Sequence, residues 1–189
     1  MIYRNDNPLA AFQLAEHLLE CIQPYIDTTS SGPPSRACVH TGEIAWDDCE
    51  CGQLIVSLIE QFESDTFPNP AVAETNAGVR KCGAPLWVYH YRVSMLRCAP
   101  IGGDNGEPPP CTAVTEAARV TIEDAWAVRT GLFCCLCRGV ERDPDTGIKL
   151  FDRYLVMPQV MDGPEGACQG SQVDLFIAVP NGGYPCDVS

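Results

Sequence analysis

A run of twelve residues near the middle of the chain constrains the fold most, because apolar and polar side chains alternate along it. Within Leu86–Arg97, one alternate set is apolar and aromatic: Trp87, Tyr89, Tyr91, Val93 and Met95. The other set is mixed and contains His90, Arg92 and Ser94. Successive side chains of a strand point to opposite faces of its sheet. The run therefore predicts a long strand with one face on a core and the other partly exposed to water.

Other segments also have strand character. Gly52–Phe62 is nearly continuous in apolar residues, which indicates a strand covered on both faces. Near the C-terminus, Arg153–Val160 and Gln172–Val179 have the pattern of two hairpin arms joined by the turn-rich segment Asp162–Gly170. A shorter strand is expected at Ala37–Gly42.

Two segments have the apolar spacing of helices that pack on a sheet. In the first, the predicted buried stripe is Leu9, Phe12, Ala15, Leu19 and Ile22. In the second, which runs from about Thr112 to Arg138, the predicted stripe is Val114, Ala118, Ile122, Ala125, Arg129, Leu132 and Leu136, widened by Trp126 and Phe133. Gly131 disfavours this second helix by about 1 kcal/mol relative to alanine. Together the elements predict an α+β fold, a twisted mixed or antiparallel sheet flanked by two main helices.

The length of 189 residues predicts a single domain, 1–189, with a loosely held C-terminal tail at about 181–189. No apolar run approaches the roughly 18 residues that a membrane helix needs. The N-terminus lacks a signal-peptide pattern, so we expect synthesis in a cytoplasm. The net charge of −13 disfavours sequence-specific binding of nucleic acid, although an acidic protein can still line a pore through which DNA passes.

Twelve cysteines are many for a chain expected to fold in a reducing compartment. Buried thiols explain some of them, and disulfides formed after leaving that compartment are a second explanation. Zinc is a third, for which Cys38, His40, Cys49 and Cys51 are the weak alternative ligand set. Structural zinc sites usually separate their two ligand pairs more widely. The main expectation is therefore no metal and no cofactor.

Five cysteines flank the predicted strands and are expected to form a cluster at one end of the sheet. Cys49 and Cys51 precede the second strand, and Cys98 follows the long strand. If those strands are antiparallel neighbours, the start of one lies beside the end of the other. Cys168 precedes the terminal strand, and Cys111 opens the second helix. We expect at least one pair near disulfide distance, with Cα atoms within about 7 Å, and leave the redox state open.

The sequence contains no recognisable catalytic constellation. It has no glycine-rich phosphate loop and no Gly-x-Ser-x-Gly motif. The three histidines, His17, His40 and His90, lie in unrelated contexts. A cysteine–histidine pair that is adjacent only in space remains an alternative. The expectation is a protein that is not an enzyme and has no catalytic residues.

The order helix, long strand, long strand, helix and hairpin resembles that of the tail terminators of long-tailed bacteriophages. The local sequence is also similar to tail-completion proteins of phages that infect actinobacteria. The resemblance covers residues from about 8 to 179, and the segments that carry it are Asp48–Leu54, Cys82–Leu86, Leu96–Pro100, the Cys134–Cys135 pair and Gly166–Gly170.

The resemblance implies a structural protein of a siphovirus virion, located at the head-proximal end of the tail. Such subunits form a ring, expected here to be a homohexamer, that caps the finished tail tube and completes head–tail joining. The implied partners are further copies of the chain, the major tail tube protein and the head-side connector or stopper protein. Genome DNA would pass through the lumen without specific binding.

The cysteine content is a departure from this family pattern, which does not require it. Three other functions stay open at this point. They are a head-to-tail connector or stopper protein of the same virion, a small zinc-binding protein, and a hydrolase with a cysteine nucleophile.

Overall fold

The helices and strands follow the order that the sequence predicts, with one additional strand. The computed structural model describes residues 9–44, 52–70, 85–102, 106–140 and 150–180. The expected tail at 181–189 lies outside these ranges. The elements are α1 (Ala10–Ile26), β1 (Arg36–Thr41), β2 (Gln53–Ser64), β3 (Leu86–Cys98), α2 (Cys111–Val140), β4 (Arg153–Val156), β5 (Val160–Glu165) and β6 (Cys168–Pro180). Neither described helix is long and apolar enough to cross a membrane.

All six strands belong to one mixed sheet with the order β1-β2-β3-β6-β4, and β5 pairs with β6 beside β4. The β1–β2 pair is parallel, and the other pairs are antiparallel. The central strand β3 pairs along its whole length with β6, from Leu86 opposite Pro180 to Cys98 opposite Cys168. The expected α+β class, with a mixed sheet flanked by two helices, is confirmed.

The predicted turn-rich connection of the terminal hairpin is largely a strand. Residues Val160–Glu165 form β5, and the turn consists only of Gly166 and Ala167. Gly166 has a φ of 61°, which glycine adopts without the steric cost that other residues incur. Pro164 is compatible with β5 because the strand lies at the edge of the sheet, where a missing N–H need not interrupt a ladder.

Both helices pack on the same face of the sheet, and two side chains of β3 establish this. The Tyr91 hydroxyl donates a hydrogen bond of 2.8 Å to the Ala11 carbonyl in α1. Arg97 Nε donates a bond of 2.8 Å to Asp124 Oδ2 in α2. Since Tyr91 and Arg97 belong to the same alternate set of β3, they point to one face. The apolar set predicted for that face is confirmed, because Tyr89, Tyr91, Val93 and Met95 are all buried in the main core.

The buried face of α1 differs from the predicted stripe. The buried residues are Ala10, Leu14, Ala15, Leu18, Ile22 and Ile26. The prediction is right for Ala15 and Ile22 and wrong for Leu9 and Phe12, which are 57% and 48% exposed. The first turns of α1 are apolar on more than one side, so helical spacing alone could not identify the face that meets the sheet.

The predicted stripe of α2 is also only partly right. Ala125, Leu132 and Leu136 are buried as predicted, but Val114, Ile122 and Trp126 are 46%, 63% and 66% exposed. The buried face also includes residues outside the predicted stripe, several of which are small: Ala127, Val128, Gly131 and Cys135.

Small residues are buried because α1 and α2 approach each other closely. A Cβ atom at Gly131 would lie 2.8 Å from Ile22 Cα, closer than two such atoms can pack. The glycine that disfavours the helix locally is therefore the residue that permits this helix–helix contact. One turn further along α2, Cys135 forms a disulfide with Cys21 of α1, with a Cα–Cα distance of 5.7 Å. Neither cysteine is among the five that were expected to cluster.

A buried ion pair between Arg97 and Asp124 joins the sheet to α2. The two residues are 7% and 1% exposed. Asp124 Oδ1 also accepts hydrogen bonds from the hydroxyl groups of Thr29 and Ser31, at 2.9 and 3.0 Å. Arg97 Nη2 donates a bond of 2.7 Å to the carbonyl of Gly32. The loop that follows α1 is thereby fastened to the same point, and the buried charges are hydrogen-bonded as their burial requires.

Two isoleucines, one in each helix, test the observed burial. Ile22→Ala should lower the free energy of unfolding by roughly 2–5 kcal/mol, because Ile22 is fully buried in the main core. Ile122→Ala is the matched control and should change it by less than about 0.5 kcal/mol, because that side chain is mostly exposed. Urea unfolding of the monomeric protein measures both. Equal losses at the two positions would contradict the described packing.

Candidate interaction surfaces

The N-terminal half of α2 extends beyond the core. The helix has 30 residues and is therefore about 45 Å long. None of the residues 111–123 is buried, and burial begins at Asp124. Within this half, Arg119 forms ion pairs with Glu116 and Glu123, at 2.6 and 3.1 Å, which stabilise the helix itself. The hydrogen bond from Arg119 also lowers the pKa of the Glu116 carboxyl.

An exposed apolar face runs along α2 across both halves. Its members are Val114, Ala118, Ile122, Trp126 and Phe133, and we call it the outward face of α2. At 100° per residue they fall within about 120° of the helix circumference. Arg129 lies on the same face, with its guanidinium 5.0 Å from the centre of the Phe133 ring. An apolar face with a cationic group at its centre is typical of a protein–protein contact surface.

A second exposed surface lies at one edge of the sheet, where β4 and β5 both pair with β6. Val160 and Met161 of β5 are 55% and 50% exposed, and Met157 beside them is 38% exposed. Asp162 and Glu165 make the same strand acidic. We call Met157, Val160, Met161, Asp162 and Glu165 the β5 edge. Within the described residues, β5 pairs only with β6 and β1 pairs only with β2, so these two strands lie at the edges of the sheet.

The face of the sheet opposite the helices carries a network of charged side chains. Arg92 forms two hydrogen bonds to Asp174, from Nε at 2.8 Å and from Nη2 at 3.2 Å. It also binds Glu43 through Nη1. His90 stacks on Phe176, with Nδ1 3.3 Å from Glu60 Oε1. His90 Nε2 also lies 3.3 Å from Asp174 Oδ1.

The network changes the ionisation of Asp174. Partial burial acts to raise the pKa of its carboxyl, but the contacts from His90 and Arg92 outweigh burial and lower the pKa to about 2. Asp174 is therefore charged at every pH at which the protein would ordinarily be handled. The network links side chains of β2, β3 and β6 with Glu43, which follows β1, and therefore stabilises the sheet.

The structure places the members of the predicted cysteine cluster as follows. Cys98 and Cys168 are directly opposite each other at the end of the β3–β6 ladder, which brings them to the same end of the sheet. Cys168 is buried and disulfide-bonded, while Cys98 is exposed and remains a thiol. Cys111 is exposed at the first position of α2. Cys49 and Cys51 lie outside the described residues, so the five-residue cluster stays a prediction.

The alternative zinc ligands are only partly described. Cys38 and His40 are two residues apart on β1, so their side chains lie on the same face of the sheet. Cys38 is half-buried and His40 is exposed. Since Cys49 and Cys51 lie outside the described residues, this ligand set also stays a prediction.

Comparison with known proteins does not assign the chain to a family. The chain matches no known protein-family description, and no curated protein matches it.

Asp174 provides a test of the charged network. Its folded-state pKa of about 2 is below its ordinary value of 3.8, so it stabilises the fold above pH 3.8 and this contribution disappears as the pH falls from about 4 to about 2. After allowance for solvent screening, Asp174→Asn should lose about 1 kcal/mol of unfolding free energy at neutral pH. The matched control is Asp65→Asn at an exposed position, with an expected change below about 0.5 kcal/mol. A loss at Asp174 that is unchanged at pH values near 2 would contradict this assignment.

Proposed function

We propose that the chain is a structural subunit of a bacteriophage virion that assembles into a ring, caps the completed tail tube and joins it to the head-side connector. The observation that carries the proposal is the presence, on one chain, of two complementary exposed surfaces. They are the outward face of α2 and the β5 edge. The order of helices and strands, which resembles that of tail terminators, supports the same proposal. It is the reason for placing the ring at the end of the tail tube.

Two different surfaces that bind each other generate a head-to-tail arrangement of copies. When the rotation from one copy to the next divides a full circle evenly, such an arrangement closes into a ring. The proposed contact places the outward face of α2 of one copy against the β5 edge of the next. The family resemblance gives six as the expected number of copies.

The chemistry of the two surfaces fits this pairing. Each contributes large apolar side chains, Trp126 and Phe133 on α2 and Val160 and Met161 on β5. The charges are opposite, with Arg129 on the first surface and Glu165 on the second. This complementarity matters because the chain has a net charge of −13, so copies without paired charges repel each other.

The acidic composition suits a ring around DNA. A negatively charged lumen repels phosphate groups, so the genome could pass through without binding to the wall. The same ring would bind the major tail tube protein on one side and the head-side connector or stopper protein on the other. No catalytic residue and no cofactor are part of this proposal.

A head-to-tail connector or stopper protein is the second candidate function. It would use the same ring-forming surfaces, and the element order is the reason to prefer a tail terminator. Localisation in purified virions by labelled-antibody electron microscopy distinguishes the two. A terminator lies at the last tail ring, and a connector or stopper lies against the head vertex.

Ring formation can be tested with one pair of matched variants. Ile122→Glu places a charge on the outward face of α2 and should shift assembled protein to monomer, because burying an unpaired carboxylate in an apolar interface is strongly unfavourable. Ile101→Glu is the control, since Ile101 is 79% exposed and lies outside both surfaces. Mass photometry and negative-stain electron microscopy measure the oligomer. A wild-type chain that stays monomeric at all concentrations and is absent from particles would contradict the proposal, as would unchanged rings for Ile122→Glu.

A further inference from the structure

A histidine lies beside the disulfide that joins the two helices. His17 Nε2 is 3.8 Å from Cys21 Sγ, and Cys21 is bonded to Cys135. The donor atoms of His17, Cys21 and Cys135 all lie within 4.8 Å of one another. Within the part of the chain that the structure describes, no other group of three such side chains is this close. The proposed ring uses none of the three.

The helix–helix contact builds this group of side chains. His17 and Cys21 are four residues apart in α1, so their side chains lie on the same side of that helix. Cys135 reaches them from α2, where Gly131 one turn earlier allows the close approach to Ile22. Cys135 is 3% exposed, and the other two side chains are half-buried. The packing of the two helices therefore positions the group.

We propose that reduction of the Cys21–Cys135 disulfide creates a zinc site. Its ligands are His17 Nε2, Cys21 Sγ and Cys135 Sγ, with water in the fourth position. Zinc binds histidine nitrogen at about 2.0–2.1 Å and cysteine sulfur at about 2.3 Å in a tetrahedron. Two such ligands are then about 3.6 Å apart. The observed nitrogen–sulfur distance of 3.8 Å is close to this value. Rotation of the side chains at Cys21 and Cys135 lets the two sulfurs separate once the bond between them is broken.

The disulfide and the zinc site are alternative states of the same residues. A dithiol supplies two electrons and two protons and is itself oxidised to a disulfide, whereas a phosphine supplies two electrons and becomes the phosphine oxide while water supplies its oxygen and both protons. Either reductant converts the Cys21–Cys135 disulfide into two thiols. Zinc binding then releases both thiol protons and forms two Zn–S bonds. In the reverse direction, zinc leaves and a small-molecule disulfide accepts two electrons from the thiols, which restores the Cys21–Cys135 bond. The disulfide links α1 to α2 in an oxidising environment, and the zinc ion links them in a reducing one.

Cobalt binding to the full-length protein tests the zinc site, because Co²⁺ occupies such sites and gives thiolate-to-metal charge-transfer absorption. Protein reduced with a phosphine under anaerobic conditions should bind one equivalent of Co²⁺. Zinc should displace this equivalent, and its binding should require His17. Protein with the disulfide intact should not bind this equivalent. His17→Gln should weaken its binding by about tenfold or more. His17 is half-exposed, so this variant is not expected to disturb folding.

Cys134→Ser is the matched control, because Cys134 is the neighbour of Cys135 in α2 but is exposed and lies outside the group. It should bind Co²⁺ as the wild type does, whereas Cys135→Ser should lose the charge-transfer absorption of this site. Circular dichroism confirms that each variant is folded. A reduced wild type that binds no Co²⁺, or a His17→Gln variant that binds it as tightly as the wild type, would overturn the proposal. Ring formation is measured separately, so either result leaves the proposed function independently testable.

Discussion

The buried ion pair between Arg97 and Asp124 is the interaction on which the arrangement of the helices depends. It connects the end of β3 to the middle of α2, and it also holds the loop after α1 through Thr29, Ser31 and Gly32. Removing two charges from water is unfavourable unless they are fully paired and hydrogen-bonded. The position of this pair is therefore tightly specified. Asp124 is also the residue at which α2 becomes buried, so the part of α2 that precedes it extends beyond the core.

This constraint explains why bulky apolar side chains remain exposed. With α2 fixed at Asp124, the side of the helix that meets α1 is the one with Gly131 and Cys135. Small residues allow a close helix contact, and dispersion forces and a disulfide then stabilise it. Trp126 and Ile122 are consequently left on the outward face. An exposed apolar face of this kind is unfavourable in water, and it is one of the two surfaces of the proposed ring contact.

The sequence predicts the sheet better than the helices, and the reason is geometric. The period-two alternation in β3 assigned Tyr89, Tyr91, Val93 and Met95 to the core unambiguously, because a strand has only two faces. In α2, apolar residues occupy two sides of the helix, and helical spacing cannot tell a side that meets the core from a side that stays exposed. The Cys21–Cys135 pair was missed for a related reason: its two members are 114 residues apart, and only the helix packing brings them together.

A double-mutant cycle on Arg97 and Asp124 tests most directly whether the ion pair anchors α2. Arg97→Met and Asp124→Asn each remove one charge and leave the other buried without its partner, so each should reduce the unfolding free energy by about 3–5 kcal/mol. The double variant contains neither charge. It should therefore be more stable than the sum of the two losses implies, by about 2 kcal/mol or more. Losses that add to within about 0.5 kcal/mol in urea unfolding would show that the two residues act independently and would contradict the account.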